Sequence, residues 1–181
     1  TILSGNALNF NWILTHFLRL LNPDYYGGFI DGRCHYIIST SLQEVFISRL
    51  LFIAFYLTTM FFFWSKKLSF ENFILSAIFG YWSYYTFNIG VHENHLFMVN
   101  IMAILLYHLN SRYLILTACV ILISNINMFM FYGIDGSGLP FKRAIGGLFD
   151  MALLFSILNL IFFVTFWLKY ITPKKSNLHN G

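Results

Sequence analysis

Long apolar runs alternate with short polar breaks, and the runs have the lengths of helices. They cover residues 45–64, 71–87, 96–109, 113–132 and 149–170. An α-helix rises about 1.5 Å per residue, so about 20 residues cross a hydrocarbon core of about 30 Å. The pattern predicts an all-α fold, a polytopic transmembrane helix bundle of about five spans. Lys66-Lys67 closes the first run, Asn110-Ser111-Arg112 is a tight turn, and a Gly-rich stretch from Gly133 through Gly147 precedes the last run. Ahead of the bundle, residues 6–21 read as another helix. Leu8, Trp12, Ile13, Phe17 and Leu20 fall on one side of it, and Asn9, His16 and Arg19 on another. Such a helix lies in the interface or is the tail of a half-span. Asn22-Pro23-Asp24 ends it. Three regions follow: an outer-side helix and polar loop over 1–44, a transmembrane helical bundle over 45–172, and a cytoplasmic tail over 173–181. No internal repeat is visible.

Composition reinforces the membrane reading. Of 181 residues, 58% are hydrophobic and 10% charged, where soluble domains carry roughly 25% charged residues. Mean hydropathy is +0.68. The 22 Phe and 11 Tyr suit helices packed in lipid with Tyr at the interfaces. The pI near 9.1 does not indicate a nucleic-acid partner, because the basic residues sit at span ends, where orientation explains them. Cys119 lies mid-span and Cys34 in a polar loop, a spacing that supports neither a disulfide framework nor a metal site. The chain opens on Thr1, and its first twenty residues read like the interior of a protein, so a C-terminal piece of a larger membrane protein is expected.

Basic residues orient spans. Alternation places Lys66, Lys67, Arg112, Lys169, Lys174 and Lys175 on one side, taken as cytoplasmic. The opposite side holds Arg33, Lys142 and Arg143, with Arg19 and Arg49 near it, and every acid except Glu71. The covered region is then N-out and C-in, its outer side facing periplasm, cell exterior or organelle lumen. Glu71 to Arg112 is 42 residues, and two spans of roughly 20 residues leave almost no loop between them. The turn at 88–95 is therefore expected just below the outer surface, as a recessed, water-accessible site.

That turn carries His92-Glu93-Asn94-His95. Ionisable groups at bilayer depth are costly and mark sites or partners. His92 and His95 share a face if the segment is helical, and imidazoles titrate near neutrality. Glu93 can orient an imidazole or hold a hydroxyl, so the group suits a phosphate whose charge must be stabilised. The same residues also fit a loop that is polar because it meets water. A metal reading is open as well, since H-x-x-H with a Glu offers two or three ligands, but the spacing is not H-E-x-x-H, and nothing brings His35 or Cys34 near. Asp135-Gly136-Ser137-Gly138 lacks a complete phosphate-loop pattern and reads as a turn. Lys142 and Arg143 after it fit an anionic lipid or lipid-linked phosphate, or a solvated loop. Asp150 suits the start of the fifth span. Asp24 and Asp31 read as turn formers, with a base role open to either. His108, Asn100, Asn125, Asn127 and Asn159 lie within spans, where polar side chains bond helix to helix. The Phe-rich runs Phe61-Phe62-Phe63 and Phe162-Phe163 are lipid-facing or packing residues.

Val91-His92-Glu93-Asn94-His95-Leu96, following Thr86-Phe87-Asn88-Ile89-Gly90, resembles the His-Glu motif of GT-C type multi-spanning glycosyltransferases. It looks most like the dolichyl-phosphate-glucose and GPI-type mannosyltransferase groups and their bacterial relatives. Leu3-Ser4-Gly5-Asn6-Ala7-Leu8-Asn9-Phe10-Asn11-Trp12 is similar to the S-G-N-A-x-N stretch before an outer-side helix in bacterial members. The resemblance implies a polyprenyl-phosphate sugar donor, an acceptor lipid or glycan on the outer face of a bacterial plasma membrane, hexosyl or mannosyl transfer by one in-line displacement, and no metal cofactor. It implies His92, Glu93 and His95 as catalytic residues, and Asn94, Lys142 and Arg143 as substrate-binding residues. His95 matches some members only. Asn94 stands where many members have Lys or Arg, so Lys142 or Arg143 would supply that charge. The family's base is an acid in a first outer loop. That loop would belong to a missing N-terminal part, a partner without which this chain would be inactive. Membrane lipid and the lipid-linked sugar are the other expected partners. A transporter or channel element with a His-Glu proton relay, and a noncatalytic membrane subunit, are the rival readings.

Overall fold

The computed structural model describes residues 3, 5–29, 42–133, 144–145 and 149–171. Seven α-helices follow in order: α1 (Phe10–Leu21), α2 (Pro23–Tyr26), α3 (Leu42–Ser65), α4 (Phe70–Phe87), α5 (Phe97–Leu109), α6 (Leu114–Tyr132) and α7 (Met151–Tyr170). Glu93–Leu96 and Ser111–Tyr113 are 3-10 turns flanking α5. Ala144–Ile145 pairs antiparallel with Phe149–Asp150, a two-residue departure from an otherwise helical fold.

Side-chain caps set most of the helix starts. Asn9, Ser69 and Asp150 accept from the backbone N–H groups of Asn11, Asn72 and Ala152, satisfying donors that a first turn leaves free. Asn9 is why α1 begins at Phe10 and not at residue 6 as the apolar pattern suggested. Asp150 likewise delays the last helix to Met151.

α4 is the axis of the bundle. Helices α3, α5, α7 and α1 all touch it, and eleven of its 18 residues are buried. Trp82, Tyr85 and Phe79 are fully buried there. Phe163 of α7 presents its ring edge-on to Phe55, Phe79, Trp82 and Phe87 at centroid distances of 5.2–6.3 Å, the favoured aromatic geometry. Buried amides and hydroxyls are tied across helices: Trp82 Nε1 donates to Asn159 Oδ1 and Trp167 Nε1 to Thr59 Oγ1.

The outside is apolar. Phe46, Ile47, Leu50, Leu57 and Phe61 of α3, and Leu114, Ile115 and Leu122 on the 114–132 helix, are uncovered by protein. Helix α1 is the clearest case. Asn11, Trp12, Thr15 and Arg19 are its buried residues, while Phe17, Leu20 and Leu21 are 58%, 60% and 76% exposed. The apolar stripe is therefore divided: Trp12 at its start is buried in the bundle, and Phe17, Leu20 and Leu21 at its far end are uncovered. Among the described residues, three helices are long and apolar enough to cross a membrane: Val45–Ser65, Ser111–Tyr132 and Met151–Tyr170. That is compatible with an integral membrane protein. The expected second and third crossings, α4 and α5, are not among them. α5 has 13 residues, about 20 Å of helix. α4 carries Glu71, Asn72, Ser76, Ser83 and Thr86, which its central position permits.

Candidate functional site

The turn between α4 and α5 is built by a glycine and a short 3-10 segment. The Asn88 N–H donates to the Tyr84 carbonyl and closes α4. Gly90 then adopts φ +63°, a conformation that side chains disfavour. Val91 is buried and His92 caps the turn Glu93–Leu96. The His92 N–H donates to His95 Nδ1 at 3.1 Å, and the His95 N–H donates back to the His92 carbonyl at 3.2 Å. The rings lie nearly parallel, 23° apart with centroids 6.2 Å from each other. In the tautomer where Nδ1 accepts, His95 Nε2 carries the hydrogen and can donate to an anion.

The structure thus brings His92 and His95 together, and it separates their surroundings. His92 and Asn94 are exposed, whereas His95 is half-buried against the Tyr84 ring at 5.6 Å. Of the two histidines, His95 lines a groove among the described residues. In a 3-10 turn residues three apart eclipse one another, so His92 stacks outside His95. The side chain of Glu93, all of Lys142 and Arg143, and Asp31, Arg33, Cys34 and His35 lie outside the described residues.

His95 stands at the head of a groove of about 550 Å³ between α3 and α4. Phe52, Tyr56 and Met60 form one wall and Ala77, Gly80 and Tyr81 the other. Ser76 also lines it; the side chain is 3% exposed and its Oγ has no hydrogen-bond partner among the described residues. From Leu109, the turns of α5 rise about 18 Å, and the step to His95 adds about 4 Å.

A buried polar lattice holds this turn in place, and sequence reasoning did not find it. Asn9 Nδ2 donates to the Tyr85 carbonyl, and Asn11 Nδ2 to the carbonyls of Asn88 and Phe87. These are acceptors that the end of α4 leaves free. The Ser48 hydroxyl donates to Asn11 Oδ1. On α6, Asn127 Oδ1 accepts from the Leu8 N–H at 2.6 Å and the Tyr85 hydroxyl at 2.8 Å, while its Nδ2 donates to the Asn6 carbonyl at 3.2 Å. Trp12 Nε1 donates to the Gly5 carbonyl. Gly5 packs so closely on the turn that a Cβ there would sit 2.3 Å from the Val91 oxygen. The signal was the Asn9-x-Asn11 pair ahead of an amphipathic helix, where asparagine is a strong cap.

Other residues singled out by sequence have mainly structural roles. Asp150 caps α7. Asn159 bonds Trp82 and Thr86 across helices. Asn125 is exposed and returns to its own helix at the Ile121 carbonyl. Asn100 Oδ1 is buried without a partner among the described residues. Asp24 is exposed in the first turn of α2, and His108 is exposed near the end of α5. Phe62 and Phe163 pack in the core, whereas Phe61 is uncovered. His16 packs edge-on to Phe29; burial pushes its imidazole below the ordinary value, opposed by the charge of Asp150. Among the described residues no group of three His, Cys, Asp or Glu could hold a metal. No family model, curated protein or solved structure matches the chain.

Proposed function

We propose that this chain is the C-terminal membrane portion of a glycosyltransferase that takes a sugar from a polyprenyl-phosphate donor, with its histidine turn facing away from the cytoplasm of a bacterial plasma membrane. One observation carries the reading: a stacked imidazole pair heads an aromatic groove that opens between two apolar helices. A lipid phosphate has the matching form, a charged head on a long apolar chain. His95 donates to the phosphate from the mouth of the groove. His92, outside it, neutralises charge as the sugar–phosphate bond breaks. Glu93 orients the acceptor hydroxyl or a histidine, and Asn94, Lys142 and Arg143 complete the anion contacts. A further fact supports the assignment. The resemblance rests on residues 4–12 and 86–97, and these segments pack on each other through Gly5 and Asn11.

A proton relay is favoured by no comparable feature. Between the histidine turn and Glu71, at the opposite end of α4, the buried polar residues described on α4, α5 and α7 are Ser76, Ser83, Thr86, Asn100, Ser156 and Asn159, none of them ionisable near neutrality.

The test uses the complete protein and a polyprenyl-phosphate sugar. His92→Ala is expected to lower turnover by about 10²–10⁴-fold, the range of a lost acid–base or charge-stabilising group, with expression and folding retained. Normal transfer by that variant overturns the catalytic role. Pronounced pH-dependent ion flux in proteoliposomes without any transfer overturns the transferase reading.

A further inference from the structure

The end of the bundle opposite the histidine turn holds a second cavity, of about 490 Å³. Its cations come from three separate elements: Lys66 just past α3, Arg112 in the turn before α6, and Lys169 in the last turn of α7. Each lies over an aromatic ring that lines the same cavity. Lys66 Nζ is 5.5 Å from the Phe62 centroid, Arg112 Cζ 4.7 Å from Tyr113, and Lys169 Nζ 5.0 Å from Tyr170. Glu71 is the acid beside them. It accepts from both Arg112 and the Tyr113 hydroxyl, so its charge is committed to one cation. Among the described residues the two lysines meet ring faces, not carboxylates.

Helix ends attract cations through the helix dipole, and for Lys66 and Lys169 taken singly that explanation suffices. It does not explain why both join Arg112 around one open cavity, where three positive charges against one negative repel each other. An anion between them relieves that repulsion. The surroundings decide which anion. Trp64, Leu68, Leu114 and Leu168, adjacent in sequence to these cations, are uncovered apolar side chains. A basic pocket rimmed by apolar and aromatic groups at the ends of apolar helices has the form of a lipid headgroup site. We propose that Lys66, Arg112 and Lys169 bind the phosphate of an anionic membrane lipid. The site is separate from the histidine turn and does not depend on the glycosyl-transfer reading.

The complete protein in detergent is titrated with phosphatidylglycerol, phosphatidylcholine and inorganic phosphate while thermal unfolding is followed. A ligand that binds the folded state raises the unfolding midpoint. Phosphatidylglycerol is expected to raise it saturably, with the other two having little effect at the same concentration. The double variant Lys66→Ala/Lys169→Ala keeps the Arg112–Glu71 contact and should need about thirtyfold more phosphatidylglycerol for the same response, at roughly one basic contact's worth of attraction per lysine. Lys66→Arg/Lys169→Arg and Lys67→Ala should respond like the parent. Equal stabilisation by phosphatidylcholine, an unchanged response of the double alanine variant, or an equal loss with Lys67→Ala overturns the site. A response to inorganic phosphate as large as that to phosphatidylglycerol overturns the lipid as its occupant.

Discussion

Gly5–Trp12 and Val91–His95 touch, yet they use polarity in opposite ways. In the first segment Asn9 and Asn11 are buried and their amides are spent on backbone carbonyls of α4. In the second, the His95 ring bonds within its own turn, and His92 stands exposed. Both kinds of polar residue sit amid apolar sequence, and by type alone each could be taken for chemistry. What separates them is placement: the asparagine amides are buried against α4, whereas His95 stands at the mouth of a groove and His92 at the surface.

This contrast predicts that stability and activity divide between the two segments. Asn127→Leu should cost most. It removes three bonds, leaving the buried Leu8 N–H and the part-buried Asn6 carbonyl without these partners, for about 3 kcal/mol, read as a lower unfolding midpoint in detergent. Gly5→Ala comes next. The new methyl must displace the Val91 carbonyl, a forced repacking of about 1–3 kcal/mol. An unchanged midpoint for both would mean that the first segment does not hold the second. A smaller effect belongs to His16. Its folded-state value is depressed, so the unfolded chain binds the proton more readily. The protein should therefore lose stability as pH falls below about 6.5, the ordinary histidine value, and His16→Gln should flatten that slope between pH 5 and 7. Last, His92→Ala should move the midpoint by less than about 0.5 kcal/mol, as exposed positions do, while turnover is expected to fall if the proposed role is right. A large loss of stability there would make His92 part of the frame.

The helices of the bundle were legible because their apolar runs end at strong local signals. Ser69, Asn110 and Asp150 fix boundaries within a few residues of those read from the pattern. The stacking of His92 on His95 was legible in the same way, from a spacing of three. What escaped was long-range. The partners of Asn127 lie 42 to 121 residues away, and periodicity carries no record of such pairings. The orientation of α1 escaped for another reason. The sequence shows two faces but not which residues of each the bundle covers: Trp12 is buried together with the polar Asn11, Thr15 and Arg19, while Phe17 and Leu20 are left uncovered. The groove between α3 and α4 depends on how two helices cross, which neither helix encodes alone.

The bond from the Leu8 N–H to Asn127 joins residues 119 positions apart. At roughly 5–20 residues per second on a ribosome, the asparagine-bearing segment waits about 6–24 s for its partner to be translated. The α4 carbonyls that Asn9 and Asn11 meet lie 76 and 77 residues on and are made earlier, so the contact with Asn127 is the last of the set to become available. The segment should therefore dock late in biogenesis, as a latch that closes after α6 has inserted.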